Sequence, residues 1–201
     1  TNLTYTWASS GPASVGFSVN GNNTAKASTV TFTQVGTYSI TVTATDEGNL
    51  TASSTVSVVV SATLTSIALA PASASIPFHA TQTYTATGKD QFGATLASQP
   101  SFSYTLAGGG SIGAASGIVT AGTTAGGPFN VTATAGGKSA TSTVTIVNAA
   151  PTIATAASAN PNPTLGTTSA LTALGADDGG ETNLTYTWAS SGPASVGFSV
   201  N

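Results

Sequence analysis

Three of the chain's six carboxylates stand together in Asp177-Asp178-Gly179-Gly180-Glu181. Calcium selects hard oxygen ligands on a flexible loop, so metal chemistry would belong here. An exposed turn held by the aspartates' own backbone hydrogen bonds accounts for the same residues without a metal. A second segment, Gly108 to Gly113, reads GGGSIG and satisfies both the dinucleotide glycine pattern and, from Gly109, the G-x-S-x-G nucleophile elbow. Both motifs need a helix directly after the turn, and AASGIVTAG follows instead, so a loop between strands is expected. His79, the single imidazole, lies in Pro77-Phe78-His79-Ala80, and one histidine makes neither a triad nor a zinc site. General acid–base catalysis needs tuned pairs, so the chain reads as no enzyme, with calcium as the one conceivable cofactor.

The elements that would position these residues follow from composition. Only 4% of the 201 residues are charged, against about 25% in an ordinary soluble domain. Serine and threonine carry the surface instead, at roughly a third of the chain. A net charge of −3 with three lysines and no arginine cannot neutralise phosphates, so nucleic acid is excluded as a partner. No apolar run is long enough to span a bilayer, and any secretion signal is expected outside this segment. The absence of cysteine removes disulfides and thiolate zinc sites but leaves export open.

The two ends of the chain decide its organisation. Thr1 to Asn20 reads TNLTYTWASSGPASVGFSVN, and Thr182 to Asn201 repeats it at an offset of 181 residues. The expectation is one full unit of a tandem array followed by the start of the next. VVVSAT at Val58 to Thr63 and VNAAP at Val147 to Pro151 read as linkers. They divide the chain into residues 1–60, a complete domain at 63–147, and residues 149–201, the last and first pieces joining as one domain of about 90 residues. In a trans assembly the shared twenty residues would be present twice for one strand position, so a continuous array in cis is favoured.

Alternation of period two recurs at Thr29–Phe32, Thr37–Thr45, Thr55–Val60, Thr83–Thr87, Asn130–Ala135 and Thr141–Val147. Valine and threonine fill these runs, while glycine, proline and Asn/Asp clusters break them at regular intervals. The fold class is therefore all-β: tandem immunoglobulin-like sandwiches, two per 181-residue repeat. Strands are also expected at Thr152–Ala156, Ser169–Ala173, Leu184–Trp188 and Val196–Ser199, with Trp7, equivalent to Trp188, as a core tryptophan.

The strings GADDGGETNLTYTW and GTYSITVTATDEGNLTASSTVSVVV resemble PKD-type and cadherin-like immunoglobulin domains of bacterial surface proteins, with Trp188-Ala189-Ser190-Ser191 where PKD domains carry WDFGDG. Residues 63–147, with Lys89-Asp90-Gln91-Phe92-Gly93 as a turn and Tyr104 as the third-strand aromatic, are similar to bacterial immunoglobulin-like group 2 domains. The PKD resemblance implies that Asp177, Asp178 and Asn148 are calcium ligands, with Asp46 approaching the same end of the completed sandwich. Both families imply an extracellular or cell-surface location, in adhesins and stalks.

The five N-x-T sequons follow from the abundance of threonine and read as strand and turn residues. Rows of Thr, Ser and Ala on strand edges leave little charge to repel a neighbour, so self-association that persists in high salt is expected. The function expected is a structural repeat of a long extracellular filament or stalk, whose partners are copies of itself. An adhesin repeat that binds a glycan or another surface is the alternative, and exposed aromatics clustered on one face would mark it.

Overall fold

The computed structural model describes residues 2–200. The chain packs as two compact units, residues 1–68 with 86–101 and 134–140, and residues 69–85 with 102–133 and 141–201.

In the first unit, β1 (Thr4–Ser10), β2 (Gly16–Phe17), β3 (Val30–Thr31), β4 (Gly36–Thr45) and β5 (Thr51–Val60) form an antiparallel sheet β1-β4-β5 and a small ribbon β2-β3. Trp7 lies opposite Val42, Ile40 opposite Val56 and Tyr38 opposite Val58. Directly opposed residues share a face, so these side chains make one apolar surface. Tyr38 and Ile40 are buried in it. The Tyr38 hydroxyl donates to Gln34 O at 2.9 Å, and Phe32 packs on its ring with centroids 4.7 Å apart. A tyrosine near the start of a strand that bonds back to the upstream backbone is the tyrosine corner of immunoglobulin-like folds. Gly11 passes so close over this ring that a Cβ would collide with Tyr38 Cδ1. Trp7 stacks on Phe17 and donates its indole N–H to Ala25 O at 2.7 Å, yet it is only half-buried. The β5 side of the surface is open, with Val56 54% exposed.

The central segment contributes β6 (Ser66–Ala70), β7 (Ser73–Pro77), β8 (Thr81–Thr83), β9 (Thr85–Lys89), β10 (Ser103–Leu106), β11 (Gly110–Ile112), β12 (Ile118–Ala121), β13 (Gly126–Ala135) and β14 (Lys138–Val147). They form a sheet β10-β13-β14-β7, a sheet β11-β12-β8 and a pair β6-β9, with β7 parallel to β14. Ile76, Tyr84, Val119, Val131, Val144 and Ile146 are its buried core. The Tyr84 hydroxyl satisfies itself on Thr143 O at 2.7 Å, and burial pushes its pKa up. Tyr104 is buried on β10.

The chain continues in the second unit as the antiparallel hairpin β15 (Thr152–Asn160) and β16 (Ala170–Ala176). Among the described residues no strand follows, although the alternation expects strands at Leu184–Trp188 and Val196–Ser199. Alternation marks which side chains share a face, but a strand exists only where a neighbour completes its ladder. The architecture is all-β, of immunoglobulin-like sandwiches, as the sequence expects.

Candidate functional site

The acidic loop sits at the end of β16. Asp177 Oδ2 accepts from Gly179 N–H at 2.9 Å, and Gly180, with φ of 96°, donates to Asp177 O at 3.2 Å. Asn183 donates from Nδ2 to Gly179 O at 2.6 Å and closes the turn. Asp177 Oδ1 is sealed from solvent and accepts no hydrogen bond. A buried carboxylate oxygen without a donor is costly, so this atom is the unresolved charge of the loop.

Asp178 is engaged differently. Its Oδ2 accepts from Phe78 N–H at 2.9 Å, and its two oxygens accept from Ala149 N–H at 3.3 and 3.2 Å. Phe78 lies just past β7, and Ala149 lies in the linker between β14 and β15. One carboxylate thus ties the loop after β16 to the linker and to the turn after β7. Charge-assisted bonds to backbone N–H are among the stronger hydrogen bonds available to a loop.

An open cleft of about 590 Å³ is bounded by Phe78, Asn148, Asp177, Asn183 and Leu184. Of the four expected calcium ligands, Asp177 and Asn148 line it, while the oxygens of Asp178 are committed to backbone N–H groups. Asp46 belongs to the other unit, where its Oδ1 accepts from Gly48 and Leu50 N–H at 2.8 Å each. Among the described residues no group of three or more His, Cys, Asp or Glu is placed to hold a metal.

The linker between β5 and β6 is gripped by Gln91, which its sequence neighbours mark only as part of a turn. Gln91 accepts from Thr63 N–H at 2.9 Å through Oε1 and donates from Nε2 to Ser61 O at 2.8 Å. Its neighbour Asp90 is buried, and Oδ1 accepts from Phe92 and Ala94 N–H at 2.9 Å each. The parallel with the acidic loop is close. Gly88-Lys89-Asp90-Gln91-Phe92-Gly93 and Gly175-Ala176-Asp177-Asp178-Gly179-Gly180 share Gly-x-Asp-polar-x-Gly. In each the aspartate bonds the N–H two residues on, and the next residue holds a connecting segment, between β5 and β6 or between β14 and β15. Each leading glycine also lies under a leucine, Leu64 over Gly88 and Leu184 over Gly175, so that a Cβ there would press on the leucine's Cδ1. This shared pattern is the signal by which Gln91 could have been found.

His79 is exposed in a turn with φ of 61°. Ser111 lies on β11 opposite Thr120, and strand β12 follows where an elbow needs a helix. Lys89 donates from Nζ to Thr95 Oγ1 at 2.7 Å. No helix among the described residues is long and apolar enough to cross a membrane.

No protein-family model matches the chain, and no curated protein matches its sequence. Among solved structures, the S-layer protein SbsC domains 4 and 5 is 23% identical with a TM-score of 0.33, covering 72% of this chain and 70% of that one. The S-layer protein rSbsC(31-844) is also 23% identical with a TM-score of 0.33, and the match covers 75% of this chain but only 21% of that one. The protocadherin gammaB7 EC3-6 cis-dimer structure is 17% identical with a TM-score of 0.39, covering 87% of this chain and 52% of that one.

Proposed function

We propose that the chain is a non-catalytic structural repeat of a long extracellular or cell-surface filament or stalk, assembled from copies of itself chained end to end. In this reading residues 63–147 are one sandwich of the group 2 kind. Residues 149–201 begin, and residues 1–60 finish, a second sandwich of the PKD or cadherin-like kind. The observation that carries it is the exact recurrence of twenty residues at an offset of 181, combined with a side-chain grip on each linker. A linker bonded on its backbone cannot swivel freely, so load passes from one sandwich to the next. A nearly uncharged Ser/Thr surface suits a role in which side-by-side packing matters more than recognition of a charged ligand.

Electron microscopy of native material tests this. An axial repeat near the length of two sandwiches, on the order of 80 Å if strands of seven or eight residues and their loops set each domain, supports a filament. Flexible, unassembled chains overturn it. Saturable binding of a single repeat on a carbohydrate array points instead to the adhesin reading.

Calcium is favoured by one observation, the sealed and unpartnered Oδ1 of Asp177 beside a cleft that Asn148 also lines. A cation there would draw on these two side chains, with backbone carbonyls and water completing the six to eight oxygens calcium prefers. Bound charge would relieve the buried carboxylate and further stiffen the junction that Asp178 holds. Loss of filament stiffness in chelator supports this reading, and unchanged stiffness removes it.

A further inference from the structure

We infer that Asn20-Gly21 is a self-modification site. The asparagine loses ammonia and becomes aspartate or isoaspartate once the outer edge of β1 opens, and Trp7 and Tyr5 hold it unreactive while that edge is closed. It is the one Asn-Gly pair in the sequence. The reaction needs only water and the chain itself.

The Gly21 amide nitrogen, stripped of its proton, attacks Asn20 Cγ and closes a five-membered succinimide. The Cγ–Nδ2 bond breaks, and Nδ2 takes up a proton and leaves as ammonia. Water then opens the ring. Addition at Cγ gives aspartate with the main chain restored, and addition at the main-chain carbonyl carbon gives isoaspartate, whose main chain runs through Cβ and Cγ. Glycine permits ring closure because it places no Cβ beside the attacking nitrogen. Both residues are exposed, so water reaches them, and the space around Gly21 is open. Each other asparagine up to Asn183 precedes a residue with a side chain.

The closed edge engages every participant. Asn20 Oδ1 accepts from Trp7 N–H at 2.7 Å, Asn20 Nδ2 donates to Trp7 O at 2.9 Å, and Gly21 N–H donates to Tyr5 O at 2.9 Å. Turning the carboxamide onto Gly21 breaks the first two bonds, and freeing the nucleophile breaks the third. Each is worth up to about a factor of ten against water, so the reaction waits for a local opening. The segment is also pinned on both sides, since Phe17 stacks on Trp7 and Asn22 bridges to Tyr5. The products do not regain this fit. A carboxylate keeps the acceptor for Trp7 N–H but sets an oxygen with no proton to give against Trp7 O. In isoaspartate the main chain between Phe17 and Asn22 is one atom longer, so the stack and the bridge no longer share one register. Opening is thereby recorded covalently, as a negative charge on a chain that carries few.

Peptide mass spectrometry of the full chain tests this, after incubation in warm neutral buffer with and without enough guanidinium chloride to unfold it. In denaturant, Asn20 is expected to convert faster than any other asparagine, with the mass change of an amide NH2 replaced by OH. In native buffer its conversion is at least about tenfold slower. Phe17→Leu removes the ring stack while leaving Asn20 and Gly21 in place, and it raises the native rate severalfold with the rate in denaturant unchanged. Should that variant fail to fold, low denaturant on the unaltered chain takes its place, and the rate must rise before the global transition. Equal rates in native buffer and in denaturant overturn the hold, as does a native rate raised by neither perturbation. An Asn20 that stays intact in denaturant overturns the site itself. Converted chains, separated by their added charge, are expected to unfold at lower denaturant than the unaltered chain, and identical unfolding overturns the misfit assigned to the products.

Discussion

The first and second copies of the twenty-residue sequence are the same polymer in two settings. In the first, Thr4–Ser10 is a strand against β4; in the second, Thr185–Ser191 has no strand. Yet Trp7 stacks on Phe17 with ring centroids 6.1 Å apart at 25°, and Trp188 stacks on Phe198 at 6.5 Å and 28°. Leu3, Tyr5 and Trp7 are half-buried in alternation, and so are Leu184, Tyr186 and Trp188. The ten-residue return that brings indole to phenyl is thus local information, carried by the sequence wherever it stands. The strand is not local: its ladder belongs to β4, and without that neighbour the same residues lie outside any strand. Val15 and Val19 are half-buried while Val196 and Val200 are exposed, so the missing cover is what separates the two copies.

The largest way to break the difference is to supply the neighbour. A chain carrying residues 21–60 a second time, after Asn201, should turn Thr185–Ser191 into a strand in the register of Thr4–Ser10. Hydrogen exchange measures it: amides that face β4 in the first copy should be protected there only in the unextended chain, and in both copies after extension. Protection confined to the first copy in the extended chain would mean that more than β4 and β5 is needed.

A single methyl group sharpens the same comparison. Gly11 lies against the Tyr38 ring, whereas around Gly192, its twin, a Cβ would meet nothing within 4 Å. Gly11→Ala should destabilise the first unit by about 1–3 kcal/mol, the usual cost of forcing extra volume into a packed site. Gly192→Ala should lie within about 0.5 kcal/mol of the unaltered chain, as exposed substitutions do. Urea unfolding reads both. Equal effects of the two substitutions would mean that Gly11 acts through the unfolded chain and not through Tyr38.

The same distinction between local and borrowed information explains what was legible in the sequence. The long valine- and threonine-rich runs at Thr37–Thr45 and Thr141–Val147 fall within β4 and β14, because each spans enough alternating residues to fix a face. The short β11 and β12, embedded in glycine and alanine, offered no such period. At Leu184–Trp188 the alternation expects a strand and none forms, because alternation reports a face and not a partner. At the acidic loop, residue types pointed to Asp177 and Asp178 together, but their division of labour is set by residues far along the chain. Asp178 meets Phe78 and Ala149, while Asp177 keeps one oxygen without a donor. Gln91 was legible only as half of a pattern shared with that loop, since its bonds to Ser61 and Thr63 join segments remote in sequence.

The smallest expected effect lies on the outer edge of the first copy. Asn20 accepts from Trp7 N–H at 2.7 Å and donates from Nδ2 to Trp7 O at 2.9 Å, so its carboxamide acts as a one-residue strand beside β1. Both bonds are exposed, and water can replace each of them. Asn20→Ala should therefore cost only about 1 kcal/mol, the net value of ordinary hydrogen bonds exchanged with solvent. Asn20→Asp separates the two bonds, because a carboxylate keeps the acceptor for Trp7 N–H and loses the donor to Trp7 O. In a Trp188→Phe background, Trp7 fluorescence during urea unfolding reports on this edge alone. If Asn20→Asp retains more stability than Asn20→Ala, the N–H of Trp7 is the group that needs a partner. If the two are equal, the acceptor for Trp7 N–H contributes nothing, and whatever both variants lose belongs to the bond from Asn20 Nδ2 to Trp7 O.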